Sequence, residues 1–148
     1  MSSGLFNLNR KRALITGSSQ GIGFALAKGL AAEGVEIVLN GRNTEKLASA
    51  ARALEANGVK THQLAFDATD HTTVRKAIDG FESASGAIDI LVNNAGMQHR
   101  TALQDFPPEA FEQLLQTNIA SVFHVGQAVA RHMIGRERGK IINIASVQ

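Results

Sequence analysis

Three glycines, Gly17, Gly21 and Gly23, lie between a short apolar run and a helical one in Thr16-Gly17-Ser18-Ser19-Gln20-Gly21-Ile22-Gly23. Backbone N–H groups at such a turn, with the N-terminus of the helix that follows, can hold a pyrophosphate. The spacing is GxxxGxG, not the GxGxxG of the general dinucleotide fingerprint. Gly17 permits a tight exit from the strand, and Gly21 and Gly23 permit close approach of a ligand and of helix to sheet. Ser19, Gln20 and Ile22 belong to the same turn. Taken alone, the segment fits an empty βα turn as well as it fits a phosphate cradle.

The end of the second strand is a further readout. An acid about 20 residues past the glycines would hold ribose hydroxyls. Here the zone reads Leu39-Asn40-Gly41-Arg42-Asn43, with no acid. An arginine there can pair bidentately with a 2′-phosphate, which favours NADP over NAD. A plain solvent-exposed loop arginine fits equally well. Asp67 and Ala68 follow strand three, where a carboxylate could accept from an adenine amino group, although turn aspartates are common. Asn93-Asn94-Ala95-Gly96 follows strand four. Its small residues let backbone approach a ligand and its amides can tie loops together; an Asx turn is the alternative. His99 and Arg100 come next, at the sheet edge where substrates bind in such folds. Arg100 could face an anionic substrate, or be an exposed loop arginine. The histidines at 62, 71, 99, 124 and 132 show no metal-ligand spacing, so no metal site is expected.

These segments must be positioned by alternating strands and helices. Strands are expected at Ala13–Thr16, Val35–Leu39, Lys60–Phe66, Ile88–Val92 and Lys140–Ile144. Helices are expected from Ile22 to Glu33, from an Asn43 or Thr44 cap to about Asn57, and from an Asp70 cap to about Ser85. A long helix should follow Pro108 and run to about Ile134. Strands two, four and five are nearly continuously apolar, as parallel strands buried on both faces are. The expectation is one α/β domain over residues 1–148, a Rossmann-like doubly wound parallel sheet of about five strands in three α/β/α layers. Strand five has no following element to cover its outer edge before Gln148, so the front portion of a longer protein is expected.

Composition narrows the class. The 148 residues are 44% apolar and 19% charged, which excludes a disordered or collagen-like chain. No cysteine is present, so disulfides and thiolate metal sites are excluded, in keeping with a reducing compartment. The net charge of +2 is local: Arg10, Lys11 and Arg12 near the start, and Arg131, Arg136, Arg138 and Lys140 against Glu137 near the end. Both clusters are expected to be solvated charge flanking a strand. No basic face for nucleic acid is evident. There is no run of ~18 apolar residues to span a bilayer and no secretory pattern, so a soluble cytoplasmic protein is expected.

Together these motifs resemble the short-chain dehydrogenase/reductase family. The likeness rests on Thr16-Gly17 and Gly21-Ile22-Gly23, Asp67, Asn93-Asn94-Ala95-Gly96, Asn118, and Ile142-Asn143-Ile144-Ala145-Ser146, in the family's order and spacing, over essentially the whole chain. Within the family the chain most resembles the gluconate 5-dehydrogenases, through Asn40-Gly41-Arg42-Asn43, Met97-Gln98-His99-Arg100, the stretch Gln127–Met133, and Ser146-Val147-Gln148.

The resemblance implies roles. Ser146 would bond the substrate oxygen and steady a developing oxyanion, and Asn118 would kink the long helix and hold a water in a proton relay. Gly17, Ser19, Gln20, Gly21, Ile22 and Gly23 would bind the pyrophosphate. Asp67 and Ala68 would meet the adenine. Asn93, Asn94, Ala95 and Gly96 would lie along the adenosine ribose and groove floor. Arg42 with Asn43 would take the 2′-phosphate of NADP(H), the preferred cofactor, with NAD(H) also accommodated. His99, Arg100 and Ser146 would face a sugar-acid substrate. The long helix near residues 109–134 is apolar beyond one stripe, which implies a homo-tetramer or dimer through it.

Two departures stand out. Gln20 occupies a position that is often basic in NADP-preferring relatives. The family's Tyr-x-x-x-Lys pair is missing, since the sequence contains no tyrosine, and these 148 residues alone are expected to show negligible turnover. The rival expectations are a 3-oxoacyl-acyl-carrier-protein reductase or polyol/ketone reductase of the same family, a non-catalytic nucleotide-binding module, and a truncated product that folds poorly.

Overall fold

The computed structural model describes residues 7–146. Its elements are β1 (Arg12–Ile15), α1 (Gly21–Ala32), β2 (Glu36–Gly41), α2 (Thr44–Glu55), β3 (Thr61–Ala65), α3 (His71–Ser85), β4 (Ile90–Asn93), α4 (Pro108–Leu115), α5 (Ser121–Gly135) and β5 (Lys140–Asn143). The strands form one parallel sheet in the order β3-β2-β1-β4-β5. This is the Rossmann-like α/β arrangement expected from the alternation of apolar runs.

Successive strand residues point to opposite faces, and that period builds two cores. Ala13 and Ile15, Ile37 and Leu39, and Ile90 and Val92 bury one face with Ala27 of α1 and Leu47, Ala51 and Leu54 of α2. Leu14, Val38 and Leu91 bury the other with Val74 and Ile78 of α3 and Val125 and Val129 of α5. Local chemistry starts the helices. Asn43 Oδ1 accepts from Lys46 N at 2.9 Å and Asp70 Oδ1 from Thr73 N at 3.0 Å, as their residue types lead one to expect.

Three expectations are corrected. The stretch from Pro108 to Ile134, expected as one long helix with a kink at Asn118, is two helices, α4 and α5, joined by a π-helical turn at Gln116–Ala120. Asn118 sits in that turn and its side chain serves a neighbouring loop, which favours an irregular turn over a straight ladder. Strand β5 is not buried on both faces: all four of its residues are exposed, because β4 flanks only one side and α5 packs against β4 rather than over it. The two basic clusters are not simply solvated. Arg12 bonds Glu36 through Nε at 3.0 Å and Nη2 at 2.9 Å, and its guanidinium lies 5.5 Å from the Phe81 ring centroid. Arg136 pairs with Glu82 at 2.9 Å and also bonds the Ile88 carbonyl. Both arginines tie helix and strand ends together at the amino edge of the sheet.

Candidate functional site

The chain reverses its direction of travel across the sheet after β3, so β2 and β4 flank β1 on opposite sides. Loops leaving β1 and β4 therefore diverge at their carboxyl ends and open a crevice, the usual ligand position in such sheets. A cavity of about 600 Å³ lies there, within the range of ligand pockets.

The turn after β1 forms its floor. Gly17 has φ +62° and an added Cβ would stand 3.1 Å from Ala95 Cα. At Gly23 an added Cβ would collide with the Gly17 carbonyl and lie 2.6 Å from Asn94 Nδ2. These two glycines are needed for close approach of helix, turn and β4 loop. Unlike α2 and α3, α1 has no side-chain cap at its N-terminus, where Gln20 precedes it. Its first N–H groups are thus available to an anion, and the turn fits a pyrophosphate.

Asn40 organises the strand ends. Its Oδ1 accepts from Gly17 N at 3.3 Å, and its Nδ2 donates to Leu64 O at 3.0 Å and Phe66 O at 3.3 Å. Ser18 Oγ in turn accepts from Asn40 N at 3.0 Å. An amide following the apolar run Ile37-Val38-Leu39 was the signal for this hub; the sequence pointed to the missing acid and to Arg42 there and assigned Asn40 no bonds.

Most of the expected cofactor residues come together. Gly17, Ser19, Gln20, Gly21, Ile22 and Gly23 line the cavity on one side, Arg42 and Asn43 at one end, and Asp67 and Ala68 beside them. Asn94, Ala95 and Gly96 close the β4 side. Arg42 is exposed, and its Nη1 lies 3.6 Å from Asp67 Oδ2. Burial works to raise the Asp67 pKa, but Thr69 donates to it from both its N–H and its hydroxyl, and together with Arg42 these hold the carboxyl below its ordinary value. Asn43 lines the cavity, and its side chain caps α2. Lys46, Thr69 and Met97 also line the cavity and were not foreseen.

The remaining residues lie elsewhere. Asn93 does not reach the groove: it is 3% exposed and donates to Asn143 Oδ1 at 2.9 Å, fastening β5 to β4. Asn118 accepts from Met97 N at 2.8 Å and donates to Met97 O at 3.0 Å, so it fixes the loop beside the cavity from behind. His99 bonds Thr101 Oγ1 at 3.0 Å and its ring meets Phe106 edge-on. Arg100 and Ser146 are exposed and outside the cavity lining; Ser146 follows β5 at the same carboxyl edge. Val147 and Gln148 lie outside the described residues. No group of three or more histidine, aspartate or glutamate side chains fit for a metal occurs among the described residues, and no helix there is long and apolar enough to cross a membrane.

Comparison with known proteins agrees with this geometry. The family model for short chain dehydrogenase matches residues 11–148. Gluconate 5-dehydrogenase of Gluconobacter oxydans (strain 621H) is 54% identical over 144 residues, covering 97% of this chain and 56% of that protein. 5-keto-D-gluconate 5-reductase of Escherichia coli (strain K12) is 42% identical over 144 residues, covering 97% and 57%. Among solved structures, a gluconate 5-dehydrogenase from Burkholderia cenocepacia J2315 in complex with NADP and tartrate superposes with a TM-score of 0.91 at 54% identity, over 95% of this chain and 55% of that one. The chain spans about half the length of the relatives it matches.

Proposed function

The chain belongs to the short chain dehydrogenase family, and from that premise we propose that it is the dinucleotide-binding domain of an NADP(H)-preferring oxidoreductase acting on a hydroxyl or ketone of a sugar acid, of the gluconate/5-ketogluconate type. The observation that carries this is the uncapped N-terminus of α1 opening onto a cavity that Arg42 also lines, at the carboxyl end of β2, where Leu39-Asn40-Gly41-Arg42-Asn43 contains no acid. NADP(H), when bound, supplies or takes up the hydride. The N–H groups of the Gly17–Gly23 turn, with Ser19, Gln20 and Ile22, hold the pyrophosphate. Asp67 and Ala68 meet the adenine, and Asn94, Ala95 and Gly96 lie along the ribose. Arg42 and Asn43 receive the 2′-phosphate, and a carboxylate in this segment after β2 would repel it. Asn118 positions the Met97 loop, and Ser146 bonds the substrate oxygen. The relatives' names and the tartrate in the Burkholderia complex support an acid substrate, for which Arg100 offers a cation.

The exposed apolar side chains Phe111 and Leu115 on α4, Ile119 in the π-helical turn and Phe123 on α5 support a homo-oligomer through this stretch. A cytoplasmic location accords with the cofactor. The sequence has no tyrosine, so the polypeptide of these 148 residues should bind cofactor with negligible turnover. The test is titration of the protein with NADPH and NADH, followed by nicotinamide fluorescence. Binding of NADPH at least about tenfold tighter than NADH is expected. Equal affinities would overturn the cofactor preference, and 5-ketogluconate-dependent oxidation of NADPH by the same polypeptide would overturn its catalytic incompetence.

A further inference from the structure

Arg42 is not a free cation. Its Nη1 lies 3.6 Å from Asp67 Oδ2, so the pair together presents no net charge to a ligand. A 2′-phosphate carries between one and two negative charges near neutral pH, and a guanidinium shared with a carboxylate balances little of that. Lys46, in the first turn of α2, lines the same end of the same cavity. Its Nζ lies 3.3 Å from Gln20 Oε1, a neutral acceptor on the glycine-rich turn. Among the described residues no carboxylate lies within ion-pair distance of Lys46. The first turn that carries it is fixed by the bond from Lys46 N to Asn43 Oδ1.

We propose that Lys46, reaching from α2 to Gln20 across the cavity mouth, is the second cation of the 2′-phosphate subsite and a determinant of preference for NADP(H) over NAD(H). The inference rests on the cofactor reading above. A bond between an ammonium and a neutral amide is readily exchanged for one to a phosphate oxygen, because charge-assisted pairs are roughly twice as strong. Arg42 then supplies a planar fork and Lys46 a movable point charge. With Asp67 counted, the three side chains carry one net positive charge, where Arg42 and Asp67 alone carry none.

The experiment uses two ligands that differ only in the group concerned, adenosine 2′,5′-bisphosphate and adenosine 5′-phosphate. Calorimetric titration at low ionic strength avoids screening and needs no turnover. The unaltered protein should bind the bisphosphate more tightly. Lys46→Met should cut that preference about tenfold by lost charge-assisted bonding, with adenosine 5′-phosphate affinity unchanged. Lys46→Arg should keep it within about threefold. Lys46 is exposed on a helix surface and methionine is a comparable helix former, and a thermal transition shared by all three proteins checks the fold. If Lys46→Met leaves the preference within about twofold while Arg42→Met abolishes it, the assignment of Lys46 is overturned and the cofactor reading stands. Equal loss of both ligands in Lys46→Met also overturns the assignment, since it moves Lys46 to the 5′-phosphate. An unaltered protein that binds both ligands alike overturns the cofactor reading itself, and the assignment with it.

Discussion

Asn94 and Thr16 hold each other by two bonds: Asn94 Nδ2 donates to Thr16 O at 3.1 Å and Asn94 N donates to Thr16 Oγ1 at 2.9 Å, while Ala95 N adds a third bond to the same hydroxyl oxygen at 2.9 Å. The loop after β4 and the turn after β1 are therefore one rigid body, and it is this body that shapes the cavity floor. The same amide reaches Gly17 O at 3.3 Å. Removing it leaves two half-buried carbonyls without their donor. Asn94→Ala is expected to destabilise the protein by about 1–3 kcal/mol and to weaken NADPH binding. Urea unfolding checks the first effect, and a loss under about 0.5 kcal/mol would mean that water replaces the amide at no cost.

Gly23→Ala tests the closeness of helix and turn. An added methyl would meet the Gly17 carbonyl, Asn94 Nδ2 at 2.6 Å and Ser18 Cα at 2.9 Å, two of the three being backbone atoms that cannot rotate away. The turn must open, which moves the N–H groups of α1 away from an anion. NADPH affinity is expected to fall at least about tenfold, more than stability does, because the cost falls on geometry at the binding turn. At Gly21 an added methyl meets nothing within 4 Å, so strain at its φ of +61° is the only penalty there. A Gly23→Ala protein with unchanged affinity would show that the turn can shift without losing its cradle.

What the sequence made legible was what adjacent residues decide. Asn43 and Asp70 were recognisable as caps because their partners lie three residues on. Strands two and four were readable as buried on both faces because each is a nearly continuous apolar run, needing no information from elsewhere. Pairings across the fold were not readable. Nothing near Arg12 marks Glu36 as its partner, and nothing near Arg136 marks Glu82, so both looked like solvated charge. Asn93 and Asn94 are adjacent and chemically identical, yet one turns to Asn143 and the other to Thr16. Only the pleat, which sends successive side chains to opposite faces, separates them. Lys46 was missed for a related reason. In sequence it is one more lysine on an amphipathic helix, and only the crossover from β2 brings it to Gln20.

Arg100 tests the proposal of an acid substrate. It is exposed at the carboxyl edge of the sheet, and among the described residues no carboxylate lies within ion-pair distance of it. In the presence of saturating NADP, Arg100→Ala is expected to weaken binding of gluconate or tartrate about tenfold, as loss of a charge-assisted bond does. Binding of a neutral polyol should stay unchanged. Calorimetry with both ligand classes separates the outcomes, and equal effects on acid and polyol would remove Arg100 from substrate recognition.

Glu36 links stability to pH at the opposite edge of the sheet. Burial works to raise its pKa, but bonds from His62, Arg12 and Lys60 outweigh that and lower it from 4.5 to about 2. In the unfolded chain these partners are gone, so the carboxyl regains its ordinary value near 4.5. A group whose folded pKa is depressed stabilises the fold fully above the unfolded value and loses that contribution as pH falls toward the folded one. The contribution of Glu36 is therefore present at neutral pH and drains away between about 4.5 and about 2. Glu36→Gln keeps the shape and removes the titration. Its stability should fall below that of the unaltered protein at pH 7, and the gap should narrow below about pH 4.5. Urea unfolding of both proteins across that range measures the gap. A gap of constant size down to about pH 3 would show that the network stabilises by hydrogen bonds that glutamine also makes, and that ionisation of Glu36 contributes nothing further.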